Sequence, residues 1–369
     1  MNLEDIARMA GVSRSTVSRV INNDPRVSDA VRQRVQEIIE QSHYHPNAAA
    51  RSLASRKTRI IGLLIPQEIH TIFVDSWFSS LITGCVQACR ELDFSFMLMM
   101  EPSYEPEAVE RVVHRTVRGH HLDGLVISSS FIDDILVHRL TEEQFPHVLI
   151  GRDANNAASY VDVDNRGASR HAVRHLLGHG RERPAMIAGP ASMVAANDRR
   201  DGFLDVVREA GIDPDGVPIR HVDWSQQGAY REALEILDVP QPPDAIYAAS
   251  DSMAVGVMQA ARSLGLDVPG DVSVIGFDDI NVERAVQMGL TTIQQPLADM
   301  SRAAIQLLVS QQASSRIQPI QQVLPTRMVR RASCGCLEPG VEVLEPEVIR
   351  GTGVSNLRGS TVVQHVAAP

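Results

Sequence analysis

From Arg59 onward the chain alternates apolar runs with amphipathic stretches, and this alternation restricts the fold more than any other feature. Ile60-Ile61-Gly62-Leu63-Leu64-Ile65 is an unbroken apolar run, the pattern of a strand covered on both faces. The periodicity then predicts a helix over 77–92, a strand over 94–99, a helix over 106–118, a strand over 123–127, a helix over 133–141 and a strand over 147–150. After Asp164 the same order resumes: helix 166–178, strand 184–188, helix 199–210, a strand near Ile219, helix 226–237, strand 245–248, helix 252–264 and strand 272–275. Such alternation means parallel sheets with helices on both faces. About 270 residues are enough for two sheets, with a crossover expected near 158–165. Two open sheets side by side leave a cleft at the carboxyl ends of their strands, where ligands bind.

The first sixty residues follow a different period. Leu3, Ile6, Ala7 and Ala10 recur at three- and four-residue spacing, which predicts a short amphipathic helix. Gly11 supplies a tight turn, and Ser13 is placed to cap a second helix. There Val17, Val20 and Ile21 form the apolar face, while Arg14, Ser15, Ser18 and Arg19 point away. Ser28 is placed to cap a third helix, whose Val31, Val35, Ile38 and Ile39 close a small core. Two short helices around a glycine-containing turn make a helix-turn-helix, and the second shows the short polar and basic side chains that a major-groove reader needs. Helices with an exposed basic face also occur without nucleic acid, so periodicity alone leaves DNA binding open.

Charge points the same way. The chain holds 35 basic and 45 acidic residues; residues 1–59 hold ten and six of these, so the remainder holds 25 and 39. A basic head on an acidic body suits a nucleic-acid reader attached to a sensor. Four cysteines are too few for a disulfide framework, and Cys85 and Cys89 read as packed thiols of one helix. Cys334-Gly335-Cys336 is a tighter pair, but no second pair or histidine lies near it in sequence, so no metal and no cofactor is assigned. No run of about 18 apolar residues marks a membrane span, and the acidic start lacks a signal-peptide core, so a cytoplasmic location is expected. His114, His120, His121 and His138 are scattered, and neither a phosphate loop nor a nucleophile elbow is present; no catalytic residue is assigned and a binder rather than an enzyme is expected.

Specific strings sharpen this reading. Asp5-Ile6-Ala7, Ala10-Gly11-Val12-Ser13, Thr16-Val17-Ser18-Arg19-Val20-Ile21-Asn22 and Tyr44-x-Pro46-Asn47-x-x-Ala50-Arg51-x-Leu53 closely resemble the lactose-repressor (LacI/GalR) family. So do Asp251-x-Met253-Ala254-x-Gly256, the run Gly265-x-x-Val268-Pro269-x-Asp271-Val272-Ser273-Val274-Ile275-Gly276-Phe277-Asp278-Asp279, and Thr291-Thr292-Ile293-x-Gln295-Pro296. The resemblance implies that Arg14, Ser15 and Arg19 read bases, and that Thr16, Ser18 and Asn22 hold phosphates. It implies a hinge helix with Asn47, Ala50 and Leu53 at the minor groove, Leu53 as a wedge. It further implies an effector pocket with Trp77, Phe78, Arg152, Arg199, Trp224, Ser250, Asp278 and Gln295.

The expected organisation is a helix-turn-helix domain over 1–46, a hinge over 47–58 and a two-lobed, periplasmic-binding-protein-like α/β domain over 59–336. Its first lobe would take 59–161 and 295–318, its second 162–294 and 319–336, and 337–369 would be a mobile tail. The stretch Pro66 to Phe78 departs from the family: a few residues are inserted, and Asp75-Ser76 replaces Asn-Pro. The function expected is a ligand-controlled regulator, most simply a repressor of sugar-utilisation genes, binding pseudo-palindromic double-stranded operator DNA as a homodimer. A nucleobase or nucleoside effector is the alternative; a sugar-binding transport protein and an enzyme on the same scaffold fit less well.

Overall fold

The structure, a computed structural model, describes residues 2–21, 24–42, 57–102, 105–128, 131–280, 289–312 and 318–347. It divides into two compact units, residues 1–59 and 60–369. In the first, the Asn2 side chain accepts the amides of Glu4 and Asp5, and Asp5 accepts the Asn2 amide at 3.0 Å. This reciprocal cap starts α1 (Leu3–Ala10). Gly11, at φ 66°, ends it. The Ser13 hydroxyl accepts the Thr16 amide at 3.1 Å and opens α2 (Arg14–Ile21). Helix α3 (Asp29–Gln41) has Ser28 at its cap position, but the Ser28 side chain makes no capping bond. Asp29 supplies the first-turn negative charge that a helix N-terminus favours. Ile6, Ala7, Ala10, Val17, Val20, Val27 and Val35 form the buried core; Val31, Ile38 and Ile39 are half-buried against it. The expected hinge lies outside the described residues except for 57 and 58.

The second unit holds two sheets. The first consists of β1 (Ile60–Ile65), β2 (Ser95–Met100), β3 (Gly124–Ser128), β4 (His147–Ile150), β5 (Ser159–Val163) and a late strand β11 (Gln321–Leu324). Their order is β11-β5-β4-β3-β1-β2, all parallel. Between these strands run α4 (Ile69–Val74), α5 (Ser76–Glu91), α6 (Pro106–Val113) and α7 (Ile135–Glu142). The single helix expected over 106–118 is α6 followed by a π-helical turn, His114–Arg118. The stretch before Trp77 forms α4, after which the Asp75 side chain accepts the Trp77 amide at 2.9 Å and caps α5.

The second sheet consists of β6 (Pro184–Ala188), β7 (Ile219–His221), β8 (Ala245–Ala248), β9 (Ser273–Asp278), β10 (Thr291–Gln294), β12 (Thr326–Arg330) and β13 (Gly340–Leu344). Its order is β13-β12-β10-β9-β8-β6-β7. The five central and outer parallel strands carry an antiparallel extension, β12 against β10 and β13 against β12. Helices α8 (Asn165–Gly178), α9 (Val194–Glu209), α10 (Gln226–Leu237) and α11 (Asp251–Ser263) cover this sheet, while α12 (Leu297–Gln311) returns to the first and packs on α5.

Two expectations are corrected. Strand β11 pairs with β5, Val323 opposite Asp162, so the first lobe continues to Leu324 instead of ending near 318. Its polar Gln321-Gln322 start suits an edge strand, which needs no apolar run. The expected tail is ordered at its start, since alternation in Val341-Glu342-Val343 lets β13 pair with β12. The chain therefore crosses between lobes three times, after β5, after β10 and between β11 and β12. No described helix is long and apolar enough to cross a membrane.

In the second lobe, Phe203 of α9 is fully buried and its ring stacks on Tyr247 of β8 at 6.4 Å. Tyr247 in turn shares a 2.5 Å hydroxyl hydrogen bond with Ser169 of α8. Phe203→Ala should cost about 3–5 kcal/mol, through lost transfer energy and the cavity left behind. Denaturant unfolding followed by circular dichroism measures this; a loss below about 1 kcal/mol would contradict the packing.

Candidate functional site

On the helix-turn-helix, burial of Val17 and Val20 turns the opposite face of α2 outward. Arg14, Ser15 and Arg19 are exposed there, and Thr16 and Ser18 are half-buried. Among the described residues, Arg14 makes a long ion pair, 3.6 Å to Glu4, between two well-exposed side chains. Such a pair is weak and leaves the guanidinium free to exchange partners. The Ser13 hydroxyl lies 2.8 Å from that of Ser15 and 2.9 Å from that of Thr16, so the start of α2 carries a small cluster of rotatable donors. Asn22, Asn47, Ala50 and Leu53 lie outside the described residues.

In the two-lobed unit, the strands' carboxyl ends converge on one cavity. Both sheets reverse strand order beside it: β1 lies between β2 and β3, and β6 between β7 and β8. Trp77 and Phe78 enter from the start of α5, their rings edge to face at 5.1 Å. Arg199 comes from α9, Trp224 from the turn before α10, Ser250 from the cap of α11, Asp278 from the end of β9 and Gln295 from just beyond β10. Water-sized molecules have about 120 Å³ for their centres in this space. One water needs about 10–15 Å³ on that measure, so the cavity suits a ligand of several such volumes.

Arg199 organises the floor. It is buried, and its Nε donates to Asn165 Oδ1 at 2.8 Å while Nη1 donates to the Ala249 carbonyl at 2.6 Å. Asp278 Oδ1 lies 3.5 Å from Nη1. The guanidinium carbon sits 3.7 Å from the centre of the Phe277 ring and 5.6 Å from that of Trp224. Asp278 also accepts from Gln295 Nε2 at 2.6 Å. Burial pushes its carboxyl up to about 7; Arg199 opposes the rise and Asp75 adds to it. Burial likewise raises Asp162 to about 7, its Oδ1 accepting from the Val163 amide and from Asn165 Nδ2. Trp224, Asp278 and Asp279 all adopt positive φ, at 66°, 117° and 55°, so the backbone is strained at the end of β9 and at the turn that carries the indole. A side chain at Gly189 would overlap the Trp224 indole, so glycine there is what lets the ring lie flat on the backbone.

The sequence-derived pocket residues thus meet, with one exception. Arg152 is not on the cavity wall. It forms a bidentate pair with Asp198 of α9, at 2.7–3.1 Å, which links the lobes. Beside it, the Ile132 amide donates to the Ser192 carbonyl, and Phe131 bridges Met193. Sequence reasoning missed Asp162, inside β5, and Asn165, at the start of α8, although the polar Asp162, Asp164 and Asn165 at the end of an apolar strand could have marked them. It also left unassigned Gln67, Asp75, Met193 and Asp223, which belong to the lining too. The cysteine pair has histidine neighbours after all: His175 and His179 reach Cys334 and Cys336 through the fold, from about 160 residues away.

Two outcomes follow from this geometry. A carboxyl held at about 7 against an ordinary 3.8 keeps its proton in the folded state alone over that interval. The folded state then binds more protons, so stability falls as pH rises from about 4 to 7. Asp278→Asn should flatten part of that fall in thermal midpoints taken across the window; an unchanged slope would refute it. Gly189→Ala should displace Trp224 and shift tryptophan emission in a Trp77→Phe background, with little change in helix content. Unchanged emission would show that the ring does not rest on residue 189.

Comparison with known proteins agrees with both parts. The profile of "Bacterial regulatory proteins, lacI family" matches residues 2–47, and that of "Periplasmic binding protein-like domain" matches residues 173–334. The HTH-type transcriptional regulator CelR of Thermobifida fusca is 34% identical over 335 residues, 90% of this chain and 97% of CelR. The HTH-type transcriptional regulator GalR of Escherichia coli K12 is 31% identical over 332 residues, 90% of this chain and 95% of GalR. Among solved structures, a CelR–cellobiose complex is similar with TM-score 0.70 and 33% identity, covering 90% of this chain and 99% of that one. A lac repressor dimer bound to operator and the anti-inducer ONPF gives TM-score 0.79 at 27% identity, with the same coverage. The helical head, the two-lobed α/β body and matches spanning nine-tenths of the chain lead to one conclusion: this protein belongs to the LacI/GalR family of ligand-binding, DNA-binding transcriptional regulators.

Proposed function

We propose that the protein is a repressor of sugar-utilisation genes that binds a pseudo-palindromic operator as a homodimer and releases or tightens on it in response to a neutral sugar. The observation that carries the effector reading is the cavity's polarity. Among the described lining residues, four carboxyl groups, on Asp75, Asp162, Asp223 and Asp278, stand against one guanidinium, Arg199, which is already engaged. Burial raises Asp75, Asp162 and Asp278, so these groups can both accept from hydroxyls and, when protonated, donate to them, and the described wall holds no second cation to attract an anion. Trp77, Phe78 and Trp224 supply flat apolar faces for the C–H side of a sugar ring. The cellobiose in the CelR structure supports the same ligand class.

The dimer reading is supported by the first lobe's surface. Phe73 and Ile69 on α4 are 83% and 64% exposed. Strand β2 is an edge of its sheet and exposes Met97 and Leu98. Unpartnered apolar groups at a sheet edge are a surface that association covers. A dimer brings two heads to two half-sites. Coupling then requires only that the sugar favour one lobe arrangement over another, typically by about 1–3 kcal/mol.

A panel of mono- and disaccharides tests the effector. A sugar at 100 times its Kd should stabilise the protein by about 2.7 kcal/mol, and the same sugar should alter operator binding. A response confined to purines or nucleosides would overturn the sugar reading. Arg199→Ala should abolish the response while operator binding persists; a surviving response would mean that the cavity is not the effector site. In the head, Arg14→Ala should relax selectivity at one base position at a cost of about 1–3 kcal/mol. Equal weakening on all sequences would make Arg14 a phosphate contact instead.

A further inference from the structure

On the second lobe, apart from the effector cavity, four metal-ligating side chains converge. His175 stands in the last turn of α8 and His179 directly follows that helix, so their four-residue spacing puts both rings on one face. Cys334 and Cys336 flank Gly335 in the turn after β12, where φ of 94° at Gly335 folds the chain so that both thiols face α8. The turn itself is fixed. Ser333 Oγ donates to the Val274 carbonyl at 2.7 Å and accepts the Thr291 amide at 2.9 Å, and the Ser273 hydroxyl donates to the Cys334 carbonyl at 3.2 Å. The four ligand atoms lie within 4.8 Å of one another.

The individual distances are more telling. His175 Nε2 is 3.1 Å from His179 Nε2, 3.4 Å from Cys334 Sγ and 3.3 Å from Cys336 Sγ. Cys336 Sγ is 3.5 Å from His179 Nε2. An imidazole nitrogen carries one proton or one in-plane lone pair, so His175 Nε2 cannot be hydrogen-bonded to all three neighbours. A shared cation resolves the convergence. Tetrahedral zinc, with bonds of about 2.0–2.1 Å to nitrogen and about 2.3 Å to sulfur, places its ligands roughly 3.3–3.8 Å apart. Three of the four distances fall inside that interval and the fourth, 3.1 Å between the two imidazole nitrogens, lies slightly below it.

We propose that His175, His179, Cys334 and Cys336 bind one Zn²⁺ per chain in a closed tetrahedral N₂S₂ site. Two thiolates balance the ion's charge, and the donor set excludes hard cations such as Ca²⁺ and Mg²⁺, which take oxygen. Four protein ligands leave no open position, so the site is structural. Its effect is to staple the end of α8 to the turn that leads into β13. That strand and the residues after it already lean on the same helix, through His171 to Glu342 of β13 at 3.3 Å and Arg170 to Glu347 at 2.6 Å. Cys334 is buried and His179 is exposed, so the ion enters from the His179 side.

The test uses the full chain, purified under reducing conditions, stripped with chelator and titrated with Co²⁺ and then Zn²⁺. One Co²⁺ per chain should bind with the intense visible bands of tetrahedral coordination and a near-ultraviolet sulfur-to-cobalt band. Zn²⁺ should bleach both and raise the thermal midpoint. Cys336→Ser and His179→Ala, checked for unchanged circular dichroism, should each lose the tetrahedral spectrum and the Zn²⁺-dependent rise. The proposal is overturned by any of three results: no tetrahedral cobalt spectrum in the unaltered chain, a spectrum that persists in both variants, or a Cys334–Cys336 disulfide that survives reduction and blocks uptake.

Discussion

A guanidinium buried between two sheets sets the terms for everything around it. Arg199 lies among the strand ends of both lobes, where an unpaired cation would cost several kcal/mol. Its hydrogen bonds to Asn165 and the Ala249 carbonyl, its approach to Asp278 and its place over the Phe277 ring are the conditions under which it can be there. These partners come from the start of α8, the end of β8 and the end of β9. Fixing Arg199 therefore fixes where those three elements end relative to one another. The cavity beside it is the space left once that arrangement is made.

Further buried carboxylates extend the same logic. Asp251, at the start of α11, is almost fully buried and its carboxyl is pushed well above the usual range by that burial and by Asp278. It accepts the Thr292 hydroxyl at 2.6 Å and the Ile280 amide at 3.0 Å. It thereby holds the strand after Asp278 and the turn beyond it in place. Asp162 and Asp278 thus lie close to one base, Asp251 lies behind Asp278, and each acid is held by hydrogen bonds in place of solvent. Cavity-lining groups held in this way need little further ordering when a molecule enters beside them.

Much of this was legible in the residues. Strands such as β1, β6 and β8 announce themselves because both faces are buried and the whole segment must be apolar. Strands β11 and β13 do not, because they lie at sheet edges, where Gln321, Gln322 and Glu342 can face water. Arg199, Trp224 and Asp278 were found through strings resembling a family, not through periodicity. The pairing of Arg152 with Asp198, 46 residues away, is invisible in the sequence, because spacing cannot bring the two near. The His175–Cys336 cluster escaped for the same reason at a separation of 161 residues. Local chemistry is readable along a chain; pairings made by the fold become readable only once the fold is known.

The three passages between lobes carry a mechanical consequence. They lie side by side: β5 and β11 are neighbours in the first sheet, and β10 and β12 are neighbours in the second. Two of the three contain proline, Pro296 and Pro325, whose ring fixes one backbone torsion. A single tether would let the lobes turn about any axis. Three adjacent ones resist twist and sliding, and leave bending as the soft motion. The cleft between the lobes then has essentially one coordinate along which to change, the opening angle.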